Sequence, residues 1–203
     1  MRRDPRATER ALRELAADQG GYFTAGQALT LGYTYRQQHF HRQRASWRAV
    51  DRGLFRLPDF PASPHEDLIR WSLWSRDQRG RIQAVVSHET ALAVHEIGDI
   101  MPRAAHLTVP RGFRKLIPKG IVLQRGEVSP SEREQHTGFW VTTPLRTLLD
   151  VAESALSPEH LTAAIRDALE RGLVREVRLR RAHMSEAARA RVQEALLAIG
   201  APA

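Results

Sequence analysis

Thr24-Ala25-Gly26-Gln27-Ala28-Leu29-Thr30-Leu31-Gly32-Tyr33-Thr34-Tyr35-Arg36-Gln37-Gln38-His39-Phe40-His41-Arg42-Gln43-Arg44 is two helix starts separated by one stop. Thr24 followed three residues later by Gln27 is a capping box, so a short helix is expected through Leu31. Gly32 ends it and makes the turn, because glycine enters the left-handed backbone region without a steric cost. Thr34 then caps a helix expected from Tyr35 to about Arg44. Two helices joined by so short a turn predict a helix-turn-helix.

The flanks extend the pattern. Upstream, Ala11, Leu12, Leu15 and Ala16 recur at helical spacing within a helix expected over 6–18, which Gly20-Gly21 stops, and Phe23 marks a short extended piece. Downstream, Trp47-Arg48-Ala49-Val50 and Leu54-Phe55-Arg56-Leu57 alternate like strands around Asp51-Arg52-Gly53, a hairpin-turn composition. Three helices and a hairpin over residues 1–57 predict a winged helix-turn-helix, whose second paired helix enters the major groove of DNA.

The third helix has the surface for that. Tyr35, Arg36, Gln37, Gln38, His39, His41, Arg42 and Arg44 all hydrogen-bond or stack, and they are the expected DNA contacts, with Arg48, Arg52 and Arg56 from the wing. Arg36 suits guanine and Gln37 adenine, while Phe40, the one clearly apolar residue, is expected to turn inward. Residues 33–57 carry six arginines against the single Asp51. That local surplus weighs more than the net charge of +8 over 203 residues, which the arginine-rich coding of a GC-rich genome would also produce. A basic module that docks a protein is the alternative, and it would lack the steep salt dependence of phosphate binding.

Pro58-Asp59-Phe60-Pro61-Ala62-Ser63-Pro64 has three prolines in seven residues and reads as a linker over 58–64. Ser63, Pro64 and Glu66 read as a capping box that opens the next helix, 65–79. From 65 to 203 the expected elements are mixed. A buried run spans 82–86, a helix capped by Ser87 spans 87–97, and strands are expected at 105–109, 121–124 and 139–142. Helices open at Thr143-Pro144 and Ser157-Pro158, and a last one spans 185–199. No regular βαβ alternation appears, so the whole chain is expected to be α+β, a winged helix-turn-helix followed by a mixed α/β domain.

Several functions find no support. Cysteine is absent, which removes disulfides and thiolate sites. No apolar run is long enough for a bilayer span, and Met1-Arg2-Arg3-Asp4-Pro5 lacks a signal peptide's apolar core, so a cytoplasmic location is expected. His88 and His95 lie seven residues apart, ~10.5 Å along a helix, too far for one metal ion. No nucleotide-binding glycine loop or nucleophile elbow occurs. No catalytic residue, metal or cofactor is expected.

Certain words are specific in their order. Gly21-Tyr22-Phe23-Thr24, Gly32-Tyr33-Thr34 and Arg52-Gly53-Leu54-Phe55-Arg56-Leu57 resemble the N-terminal winged helix of the AbiEi family. Val86-Ser87-His88-Glu89-Thr90-Ala91-Leu92, His106-Leu107-Thr108-Val109-Pro110 and Thr143-Pro144-Leu145-Arg146-Thr147-Leu148-Leu149-Asp150 resemble its antitoxin region. The resemblance implies an antitoxin of a type IV toxin–antitoxin system. Such a protein binds inverted repeats in its own promoter, represses the operon and counters a nucleotidyltransferase-like toxin without a stable complex. A solitary transcriptional regulator and an antitoxin that binds its toxin directly stay open beside it.

Overall fold

A computed structural model of the chain describes residues 4–200. Residues 1–3 and 201–203, which include most of the expected signal-free N-terminus and the last residues of the expected second domain, lie outside the described residues. The fold is α+β, in two compact units.

The first unit runs through Gln83 and takes in His136–Phe139. It contains α1 (Pro5–Ala17), β1 (Tyr22–Thr24), α2 (Ala25–Leu31), α3 (Tyr35–Gln43), β2 (Arg48–Asp51), β3 (Leu54–Arg56) and α4 (Glu66–Trp74). Asp4 caps α1 by accepting from the Arg6 amide. Gly20 and Gly21 then turn the chain with φ of 60° and 89°. At Gly21 a Cβ would come within 2.6 Å of the Phe60 Cβ, so the close approach as well as the φ demands glycine. The three strands form an antiparallel sheet in the order β1-β3-β2, with Phe23 opposite Phe55. Leu12, Ala16, Phe23, Ala28, Tyr33, Trp47, Phe55 and Leu57 make the core, and Phe23 meets Trp47 edge-on at 4.8 Å.

The proline-rich stretch does not divide the units. Its donor-poor backbone offers carbonyls, and the Arg56 guanidinium takes two of them, Phe60 O at 3.0 Å and Pro61 O at 2.8 Å. Glu66 at the start of α4 accepts from the Tyr22 hydroxyl at 3.0 Å and pairs with Arg56 at 3.2 Å. Gln19 accepts from Arg76 at 2.6 Å. Residues 58–64 are therefore a strap within the first unit, and the division falls between Gln83 and Ala84. The expected cap of α4 also shifts: His65 takes the N-cap position, while Glu66 reaches the Ser63 amide only at 3.4 Å. The helix ends at Trp74, short of 79.

The second unit holds Ala84–Gln135 and Trp140–Ala203. Its elements are β4 (Val85–Val86), α5 (His88–Val94), β5 (Ala105–Val109), β6 (Ile121–Arg125), all but the last residue of β7 (Arg133–His136), all but the first of β8 (Phe139–Thr142), α6 (Pro144–Glu153), α7 (Pro158–Glu170), α8 (Glu176–Arg181) and α9 (Glu186–Ala198). The sheet order is β6-β5-β4-β8-β7, with β4/β8 and β5/β6 parallel and β4/β5 antiparallel. Strand β7 and helix α8 were not expected from the sequence: Arg133-Glu134-Gln135-His136 is wholly polar, and α8 is only six residues long. Thr143, Ser157 and Ser185 cap α6, α7 and α9 as expected. Leu92, Ile97, Leu148, Leu161, Ile165, Leu179 and Leu196 are fully buried between the helices.

Candidate nucleic-acid interface

Two capping boxes fix the helix pair in the first unit. At α2 the Gln27 amide donates to Thr24 Oγ1 at 3.2 Å, and Thr24 N donates to Gln27 Oε1 at 2.8 Å. Gly32 closes α2 in the left-handed region, φ 108°, which lets the Tyr33 amide reach the Ala28 carbonyl at 3.0 Å. At α3 the exchange repeats: Gln37 N donates to Thr34 Oγ1 at 3.2 Å, and Thr34 N donates to Gln37 Oε1 at 2.8 Å. Gln37 remains exposed, but its amide oxygen is occupied by the cap, so it is not poised to take adenine through both amide atoms.

Helix α3 is held down by polar groups, and three of the expected contacts are engaged inside the unit, two of them on α3. Gln38 is buried at 4 % exposure and donates through Nε2 to the Ala25 carbonyl at 3.2 Å. His41 lies half-buried, stacked on Trp47 at 4.6 Å, with Nδ1 3.0 Å from Ser46 Oγ, and burial pushes its pKa down, which keeps the ring neutral. Arg56, on the central strand of the three, is buried in the strap described above. Gln38, His41 and Arg56, expected at the DNA, are thus engaged in the framework of the unit.

Phe40 is corrected in the other direction. It is 47 % exposed, with the Arg44 guanidinium 4.4 Å from its ring centroid. Residue 40 stands two positions from the inward Gln38, about 200° around the helix, so it cannot share that face. The space beneath α3 is already filled by Tyr33 and Trp47. The outward face presents Tyr35, Arg36, His39, Phe40, Arg42, Gln43 and Arg44, all exposed. Gln43, which lies within the expected helix but not among its expected contacts, is exposed on this face as well.

In the hairpin, Arg48 is exposed on β2 and Arg52 at the turn. The turn is seated against the helix pair by the Ala25 amide, which donates to the Gly53 carbonyl at 2.8 Å. Asp51, the single acid of this region, accepts from the Arg52 amide at 2.6 Å. Among the described residues, the side chains of Arg36, Arg42, Arg44, Arg48 and Arg52 make no ion pair or hydrogen bond with the protein. A positive surface without internal carboxylate partners is open to an external polyanion.

The second unit gathers a separate polar cluster. Ser87 stands at the N-cap of α5, but its hydroxyl caps nothing: it accepts from Thr108 Oγ1 at 2.8 Å and lies 2.9 Å from His88 Nδ1. His88 has φ 53°, and burial, with His106 and Arg146 nearby, lowers its pKa to about 4. Arg146 bridges Asp150 at 2.7 Å and Glu132 at 2.8 Å. His95 engages the Thr142 carbonyl at 2.7 Å, away from His88's partners. No group of three histidine or carboxylate side chains among the described residues is arranged to hold a metal ion.

This cluster is drawn from the motifs of one domain. Residues 83–198, more than half of the chain, match the model of the AbiEi antitoxin C-terminal domain. The chain belongs to the AbiEi antitoxin family. Its AbiEi domain coincides closely with the second unit, which begins at Ala84. The crystal structure of the Rv2827c protein from Mycobacterium tuberculosis aligns with 100% of this chain and 80% of that one. The TM-score is 0.56 at 18% identity, a likeness of fold alone. No curated protein matches the chain. Among the described residues no helix of this AbiEi protein is long and apolar enough to cross a membrane.

Proposed function

We propose that this AbiEi protein is a DNA-binding antitoxin that represses its own operon. In this reading the first unit is a winged helix-turn-helix that binds inverted promoter repeats, and the AbiEi domain counters a nucleotidyltransferase-like toxin without forming a stable complex. The element order α1-β1-α2-α3-β2-β3, with the strands paired β1-β3-β2, supports the winged-helix assignment.

The observation that carries the reading is the set of five arginines on α3, at its C-cap and on the hairpin that make no side-chain ion pair or hydrogen bond among the described residues. Arg36, early in α3, is the base-reading candidate, with Tyr35 and His39 beside it. Arg42, Arg44, Arg48 and Arg52 are assigned to phosphates. Gln43 joins them, and Gln37 serves as the cap that sets the helix start.

The test is a titration of the chain against its own promoter region and a scrambled duplex across salt concentrations. Arg52→Ala is expected to reduce the slope of log K against log salt by ~0.9 and to weaken both duplexes alike. Arg36→Ala is expected to cost ~1–3 kcal/mol on the promoter and far less on the scrambled duplex. Binding that ignores salt would remove the reading.

A further inference from the structure

We propose that the AbiEi domain makes a second DNA contact through the crossover that joins β5 to β6, whose tip, Leu116-Ile117 between Arg114 and Lys119, enters the minor groove of a B-form duplex as an apolar wedge. The inference rests on the DNA-binding reading above and adds to it a contact outside the winged helix.

The first support is charge. From Pro102 to Gly126 the chain has no aspartate or glutamate and six basic residues, among them the only two lysines of the protein. Arg125 is used internally, donating to the Phe113 carbonyl at 2.7 Å and the Arg111 carbonyl at 3.3 Å. Arg103, Arg111, Arg114 and Lys119 are exposed, and their side chains make no hydrogen bond or ion pair among the described residues. With no carboxylate in the segment to neutralise them, they suit a polyanion.

The second support is the way the tip is presented. Strands β5 and β6 run parallel, a pairing whose crossover usually contains a helix, yet residues 110–120 make the return without one. The segment is pinned at both ends. Phe113 is buried, and its amide donates to the Pro110 carbonyl at 2.9 Å. At the far end the Ala105 amide donates to the Gly120 carbonyl at 2.8 Å. Between these pins Leu116 is 92 % exposed and Ile117 47 %, and Pro118 follows them directly.

The chemistry selects the partner. Proteins that enter the minor groove set arginine and lysine along it and push leucine, isoleucine or proline between base pairs, partly unstacking them. Leu116-Ile117-Pro118 with Arg114 and Lys119 beside it supplies both parts. An A-form RNA helix has a wide, shallow minor groove that gives a wedge no walls. A single strand stacks on exposed aromatic rings, and Phe113, the one phenylalanine, tyrosine or tryptophan of the segment, is buried. The same lack of tryptophan and tyrosine removes the usual anchors to a bilayer. A protein partner would have to bring a surface of carboxylates, whereas every phosphate of a duplex carries the charge these residues match.

The experiment titrates the full chain against its promoter region and an A·T-rich duplex, each carrying 2-aminopurine at TA steps, which unstack most readily. Binding is expected to raise the 2-aminopurine fluorescence. Leu116→Ser/Ile117→Ser is expected to bind more weakly and to lose the rise, with an unchanged melting midpoint because both side chains stand in solvent. Arg114→Ala/Lys119→Ala is expected to lower the slope of log K against log salt by ~1.8, for two lost phosphate contacts. Arg36→Ala, on α3, is expected to lose promoter preference and keep the rise. A full chain that binds without the rise, or a serine variant equal to wild type in rise and affinity, would overturn the inference and leave the winged helix intact. An RNA duplex bound as tightly as DNA would overturn it too. Arg36→Ala and Arg52→Ala without effect, beside a rise that the serine variant abolishes, would remove the winged-helix reading and uphold this one. A chain that binds no duplex would remove both.

Discussion

Arg36, Arg42, Arg44, Arg48 and Arg52, on α3, at its C-cap and on the hairpin, make no side-chain ion pair or hydrogen bond among the described residues. Arg146, Arg171 and Arg191 in the AbiEi domain end on structure. Arg146 joins Glu132 to Asp150. Arg171 pairs with Asp167 at 3.0 Å and donates to the carbonyls of His95 and Glu96 just past α5. Arg191 donates to the carbonyls of Ala152, Ser154 and Leu156, where α6 ends. The first group leaves charge available, while the second consumes it on carboxylates and on the carbonyls that a helix end leaves unsatisfied. Net charge alone cannot separate these uses, because both count equally towards +8.

The contrast predicts opposite phenotypes, and the largest is at Arg146. Asp150 is buried, and burial pushes its carboxyl pKa up even against the pull of Arg146. Arg146→Ala would strand that carboxylate and is expected to cost ~3–5 kcal/mol in urea unfolding at neutral pH. Arg42→Ala, by comparison, is expected to stay within ~0.5 kcal/mol of wild type. Equal losses at the two positions would erase the distinction.

The next effect is read by pH. His88 is neutral in the folded protein, with a pKa lowered from 6.5 to about 4. Between those values the unfolded chain binds the proton and the folded chain does not, so stability is complete above pH 6.5 and falls as pH drops towards 4. The full loss corresponds to ~3 kcal/mol. His88→Asn, which tolerates the left-handed backbone at this position, is expected to flatten that slope in a series of urea titrations. An unchanged slope would mean that another group titrates there.

The smallest effect falls on Phe40. A core phenylalanine would cost ~3–5 kcal/mol on truncation to alanine. Exposed beside Arg44, this one is expected to change stability by no more than ~0.5 kcal/mol. A thermal melt of Phe40→Ala decides between them, and a large drop would place Phe40 in the core and reverse the facing of α3.

Much of the first unit was legible in local sequence. Thr24 with Gln27, Gly32 and Thr34 placed both helices to within a residue, because caps and left-handed turns depend on residues no more than four apart. The facing of α3 was not legible. Its sequence has one apolar residue, and a search for an inward side chain settles on Phe40 when the anchors are in fact an amide and an imidazole. Their partners, Ala25 and Trp47, come from other elements, and no periodicity within α3 names them.

By itself the sequence determined most of the helix and strand starts, the α+β class, the acid-poor basic stretch at 33–57, and the family words of the AbiEi domain. Tertiary structure alone decided which basic groups stay unpaired. Arg56 and Arg48 stand opposite each other in the sheet and read alike in sequence, yet Arg56 is buried on the strap while Arg48 reaches solvent. It also decided that the proline-rich stretch is a strap within one unit. Both outcomes depend on carbonyls and carboxylates brought near by distant parts of the chain, and a guanidinium pairs with whatever acceptor the fold places within reach.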